Sequence, residues 1–171
     1  MEPFFEKEDV KLIILQYGGN SVSHLTNDNN RNKYAESIKK QIELFKQLEP
    51  TACILFIGPA DMATRQNGRM QSYPQMEAVA EALRVAANEA GVAYWDMFSA
   101  MGGRNSIVEW VKARPQLAGS DYVHFTKKGA TEMSNILFET FQLYYKFYRF
   151  RNGLDEVEIE EDIVSDENKM E

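Results

Sequence analysis

Two short segments hold the residues best suited to chemistry: Asp121-Tyr122-Val123-His124-Phe125, and Gly18-Gly19-Asn20 a hundred residues earlier. On a loop running into a helix, Asp121 and His124 can face one cleft. The carboxylate then accepts from one ring nitrogen and leaves the other free as a general base. An asparagine just past the end of a buried strand can aim its amide N–H₂ at a developing oxyanion. Such a site also needs a nucleophile, and no Gly-Asp-Ser or Gly-x-Ser-x-Gly occurs among the 171 residues. The pattern is that of part of an ester-hydrolase site.

Each residue also has a plainer reading. His124 can be a helix-entry histidine bonded to Asp121, and an aspartate before a helix is a good cap. Asn20 can be a turn residue, because Gly-Gly-Asn suits positive φ. His24 lies in a polar loop without a spaced partner and reads as a surface residue. Ser21 and Ser120 are the nearest substitute nucleophiles, but neither is on a strand-to-helix elbow. Asp61 and Arg65 follow the second strand and, with Gly19, are candidates to line a substrate cleft. A helix cap and a surface charge are the alternatives for Asp61 and Arg65.

The elements that must position these residues follow from hydrophobic spacing. Val10–Gln16 and Ala52–Ile57 are short apolar runs that read as buried parallel strands, and Val92–Trp95 as a third. Asn27–Asn32 reads as a polar loop before a helix over Lys33–Leu48, with Tyr34, Ile38, Ile42, Phe45 and Leu48 on one face. Residues 60–73 read as a polar loop. Tyr73-Pro74 opens a second helix, closed at Gly91. A short helix over Ser106–Lys112 and a long amphipathic one from Lys127 to about Arg149 complete the order. Alternation of strand and helix predicts half of a doubly wound α/β fold, with the loops after the strands on one side, where such folds bind ligands.

Composition narrows the function classes. Residues 155–171 hold nine acids against Lys169, a balance of −8, which leaves the remainder at +1 within the total of −7. A nearly neutral body gives no reason to expect nucleic-acid binding. We expect one domain over residues 1–150 and an acidic, solvated tail over 151–171. Cys53, the single cysteine, lies in an apolar run and reads as a buried core thiol. No apolar stretch reaches the roughly 18 residues of a membrane span. The first nine residues have neither a basic start nor an apolar signal core, so the expected compartment is the cytoplasm.

Taken together, Ile14-Leu15-Gln16-Tyr17-Gly18-Gly19-Asn20 resembles the third conserved block of the SGNH, or GDSL-type, hydrolases, and Asp121-x-x-His124 resembles their fifth. Phe56–Met62 and Tyr94–Met97 stand where that family's fourth and fifth strands end. The resemblance spans residues 10 to about 145. It implies the three-layer, flavodoxin-like fold of the family, here as a partial parallel sheet of three strands with flanking helices. It implies His124 as base, Asp121 as its orienting partner and Asn20 as oxyanion donor, with no metal or organic cofactor. The substrate implied is an acylated small molecule or carbohydrate.

The departures matter as much. The family's nucleophilic Ser and a second oxyanion donor belong to blocks that precede the strand at Val10–Gln16. Ser21 stands where the family tends to have Asp. The resemblance thus implies the carboxyl-terminal part of a hydrolase whose amino-terminal half lies upstream or is made separately, and an exported parent. A non-catalytic ligand- or partner-binding derivative is the alternative. In the family's strand order, 2-1-3-4-5, the strand at Val10–Gln16 pairs with the nucleophile strand. Without that neighbour its edge is open, and a homodimer through this edge is expected.

Overall fold

The computed structural model describes residues 9–154. It divides into two units, one ending at Met133 and the other beginning at Ser134. The first unit is built on β1 (Leu12–Gln16), β2 (Cys53–Ile57) and β5 (Ala93–Trp95). These pair in parallel in the order β1-β2-β5, with Leu12 opposite Cys53, Gln16 opposite Ile57, and Ile57 opposite Trp95. The α/β fold with a three-stranded parallel sheet and flanking helices is as expected.

Alternation along β1 decides which way it faces. Ile13 and Leu15 turn into the core, whereas Leu12 and Ile14 are 47% and 52% exposed. Helices α1 (Asp28–Leu48) and α2 (Met76–Glu89) supply the other side of that core through Ile38, Ile42, Met76, Val79 and Leu83. Phe56, on the middle strand, is fully buried in this core, with Tyr94 stacked 6.0 Å away. Truncating a ring in such a place costs about 3–5 kcal/mol. Among the described residues, β1 has no strand on its other side.

Several local expectations are corrected. Helix α1 begins at Asp28, not Lys33. Asn27 is its N-cap and accepts from the Asn30 N–H at 2.9 Å, so the polar stretch is the first turn of the helix. Residues 60–73 are not all loop. β3 (Ala63–Gln66) and β4 (Arg69–Ser72) form an antiparallel hairpin, closed by Asn67 and Gly68 at φ 48° and 79°. Asn-Gly is the preferred pair for that two-residue turn. Cys53 is exposed, because it opens β2 opposite the exposed Leu12 rather than lying within the strand.

Past β5, the chain forms α3 (Met97–Ala100) and α4 (Ser106–Lys112) before the Asp/His loop. Helix α5 (Lys127–Arg151) then begins in the first unit, where Gly129 and Met133 are buried. Its continuation from Ser134 carries the aromatic series Phe138 to Phe150. It stops at Gly153, φ 64°, where the Leu154 N–H returns to the Arg149 carbonyl. The acidic segment 155–171 lies outside the described residues.

Candidate active site

The loop between α4 and α5 is held at its base before it presents any functional group. Leu117 and Ala118 donate to the Trp110 carbonyl, and the Trp110 and Phe125 rings lie 5.3 Å apart. Gly119 N–H donates to the His124 carbonyl at 2.7 Å, closing the turn that contains both candidate residues. Thr126 caps α5 by accepting from the Gly129 N–H at 3.2 Å. Asp121 is therefore not the cap of this helix.

Asp121 instead organises its own turn. Its Oδ1 accepts from the N–H groups of Val123 and His124 at 3.0 and 3.1 Å, and its Oδ2 lies 2.8 Å from His124 Nδ1. Tyr122, between them, has φ 59°. The hydrogen bond from the His124 ring, then those from the two backbone groups, hold the Asp121 carboxyl at about 2, below its ordinary 3.8. An ionised carboxylate at Nδ1 keeps the proton on that nitrogen, so Nε2 carries the lone pair. That is the arrangement a general base requires.

Asn20 comes from the other end of the unit. Gly18, buried at φ 113°, turns the chain sharply out of β1 into a 3-10 helix over Gly19–His24. The φ of 113° is what requires glycine here; a Cβ would in addition lie 2.8 Å from Leu83 Cδ1 of α2, which would have to move aside. Asn20 is exposed at the start of the 3-10 helix.

The two segments meet. A cleft of about 360 Å3 is lined by Gly18, Gly19, Asn20 and Ser21 from the first, Val123 and His124 from the second, and Pro59, Ala60 and Met62 from the end of β2. Tyr17 and Tyr34 add aromatic surface. Gly19 lines this cleft. Asp61 and Arg65 are not among its lining residues, which corrects their reading as cleft groups. Asp61 is fully buried, and Arg65 is exposed on the hairpin, donating to the Gly68 carbonyl. His24 is exposed and Ser120 does not line the cleft, whereas Ser21 does. Met62, Val123 and Tyr34 also line the cleft; of these only Met62 has a sequence signal for such a place, since it follows a strand end on the side where the loops gather.

The GDSL-like Lipase/Acylhydrolase family matches residues 2–131. Comparison with curated proteins gives no match. The fold is similar to a solved structure described as a peptidoglycan O-acetylesterase in action, with a TM-score of 0.70 and 23% sequence identity. That likeness covers 80% of this chain and 38% of the other, so the chain spans well under half the length of that structure. With three-quarters of its residues matched, in order, by the same family whose blocks its glycine-asparagine and aspartate-histidine segments resemble, the chain belongs to the GDSL-like lipase/acylhydrolase family.

Proposed function

We propose that the chain supplies the base, the orienting carboxylate and an oxyanion donor for hydrolysis of a small acyl ester, most simply an acetyl group carried on a carbohydrate. The observation that carries this reading is the 2.8 Å contact between Asp121 Oδ2 and His124 Nδ1 beside a cleft that also receives Asn20. His124 Nε2 takes the proton of the attacking hydroxyl and later delivers it to the leaving alcohol. Asp121 stays ionised and stabilises the imidazolium formed between those steps. The Asn20 amide donates to the oxyanion of the tetrahedral intermediate, a contribution on the order of 3 kcal/mol where one donor is removed. The description of the structural neighbour as an O-acetylesterase supports the choice of acyl group.

The nucleophilic serine, in this proposal, comes from a Gly-Asp-Ser-like segment outside these 171 residues, which also pairs with β1. The test is hydrolysis of p-nitrophenyl acetate. The chain alone should show no burst and negligible turnover, unchanged by Ser21→Ala or Ser120→Ala. Co-expression with an amino-terminal segment bearing the serine should restore hydrolysis, and His124→Ala should abolish it. Ser21 lines the same cleft as His124, which is the observation favouring a relocated nucleophile. Robust turnover by the chain alone, lost in Ser21→Ala, would establish that second reading. Failure of complementation together with saturable sugar binding that is lost on replacing Asn20 would indicate a non-catalytic binding derivative.

A further inference from the structure

Pro59, Ala60 and Met62 form part of the cleft lining, and the residue among them that turns inward is Asp61. Its side chain is fully buried, and among the described residues it makes no salt bridge. Oδ2 accepts from the Ile107 N–H at 3.1 Å and lies 3.5 Å from the Ser106 hydroxyl. Oδ1 has no hydrogen bond of good geometry. Ser72, also buried, accepts from the Asn105 N–H at 2.6 Å, so its own proton is available to the carboxylate. The Ser72 N–H returns to Asn105 Oδ1 at 2.9 Å. Asp61, Ser72 and Asn105 thus tie together the end of β2, the hairpin and the entry to α4.

A buried carboxylate with incomplete partners is costly, and an apolar side chain would pack there without that cost. What the polar cluster supplies is direction. Ala63, two residues on, donates its N–H to the Tyr122 carbonyl at 3.0 Å. Tyr122 is held in the left-handed region between Asp121 and His124, a conformation a tyrosine keeps only when its surroundings impose it. Asp61 is therefore connected to the catalytic turn by one short covalent path and one hydrogen bond.

We propose that Asp61 is a positioning residue: anchored through Ile107, Ser72 and Asn105, it sets the cleft wall and, through Ala63, the Tyr122 turn that brings His124 Nδ1 onto Asp121. This rests on reading Asp121 and His124 as the catalytic pair. Burial pushes the Asp61 carboxyl up, against the hydrogen bonds from Ser72 and Ile107, which agrees with a group whose ionised form costs the fold stability.

The test reads the His124 tautomer directly by long-range 1H–15N NMR at about pH 9, where imidazole is neutral. His24, the other histidine, is the internal reference. Wild-type His124 should show the Nδ1–H pattern and His24 the Nε2–H pattern usual for a solvated ring. In Asp61→Leu and Ser72→Ala, His124 should move to the His24 pattern, and the Ala63 amide should exchange about tenfold faster. Ile42→Val, a core change in α1, should alter neither. If Asp61→Leu does not fold, Asp61→Asn and Ser72→Ala decide the matter.

A folded variant that keeps both the Nδ1–H pattern and the slow Ala63 amide overturns the inference alone. So does loss of the pattern in Ile42→Val, which would make it a readout of stability. A wild-type His124 in the Nε2–H form removes the pair itself, and the inference with it.

Discussion

Asp121 grips His124 at two points: Oδ2 meets the ring at Nδ1, 2.8 Å away, while Oδ1 accepts the backbone N–H of the same residue at 3.1 Å. The double contact fixes both the ring's tautomer and the turn that aims it. Asp121→Asn keeps the backbone acceptor but sets an N–H₂ against Nδ1, which favours the opposite tautomer. In the complemented enzyme we expect kcat to fall about 10²–10⁴-fold with KM little changed. Steady-state kinetics on p-nitrophenyl acetate check this, and a fall in kcat/KM that came from KM alone would contradict it.

The pH dependence of stability carries the same signature. Because Asp121 titrates at about 2 in the fold and near 3.8 when unfolded, the folded state releases this proton more readily. Its contribution is fully present above the unfolded value and is lost as pH falls through the folded one. Melting temperature should therefore drop between about pH 4 and pH 2, and Asp121→Asn should flatten that segment. Asp61 acts with the opposite sign. Its raised pKa makes ionisation costly to the fold, so stability from this group declines as pH rises above 3.8, and Asp61→Asn should remove that slope.

Gly129 is packed where no side chain fits. A Cβ there would collide with the backbone carbonyl of Leu117, which is fixed by its own hydrogen bond from Thr126 N–H. Gly129→Ala improves intrinsic helix propensity by up to about 1 kcal/mol, but the collision outweighs it. We expect net destabilisation of roughly 2 kcal/mol or more, measured by urea unfolding. A stabilised variant would show that the loop gives way easily and does not hold the Asp121 turn.

The open edge of β1 predicts self-association of the isolated chain, most simply a two-fold dimer with β1 paired antiparallel to its symmetry mate. Ile13 packs against the core, so its replacement would perturb folding; the exposed Ile14 is the cleaner probe. Light scattering should give a dimer mass for the wild type and a monomer mass for Ile14→Lys. A wild-type monomer at high concentration, with slow amide exchange along Leu12–Leu15, would show that the edge is covered within the chain.

Wherever the controlling interactions are local, residue order alone determined the outcome. The short apolar runs at Val10–Gln16 and Ala52–Ile57 contain the strands Leu12–Gln16 and Cys53–Ile57, and Pro74 and Gly91 bracket α2 by fixing or freeing φ. The spacing of Asp121 and His124 permits their contact, since three residues of turn bring a carboxylate under a ring. Asn67-Gly68 was an equally local signal for the hairpin, obscured by the polar residues on both of its strands.

Burial and convergence were decided only in three dimensions. Nothing in Phe56–Met62 distinguishes an Asp61 that faces the cleft from one that faces inward; its direction depends on where Ser72 and Ile107 arrive, from residues far along the chain. Cys53 lies in an apolar run yet is exposed, because exposure depends on what covers a face, not on the neighbours in sequence. Asn20 and His124 share a cleft because parallel strand pairing gathers the strand-end loops on one side, where the α4–α5 loop folds back. Spacing can allow such a meeting, but only long-range hydrogen bonds such as Ala63 to Tyr122 hold it in place.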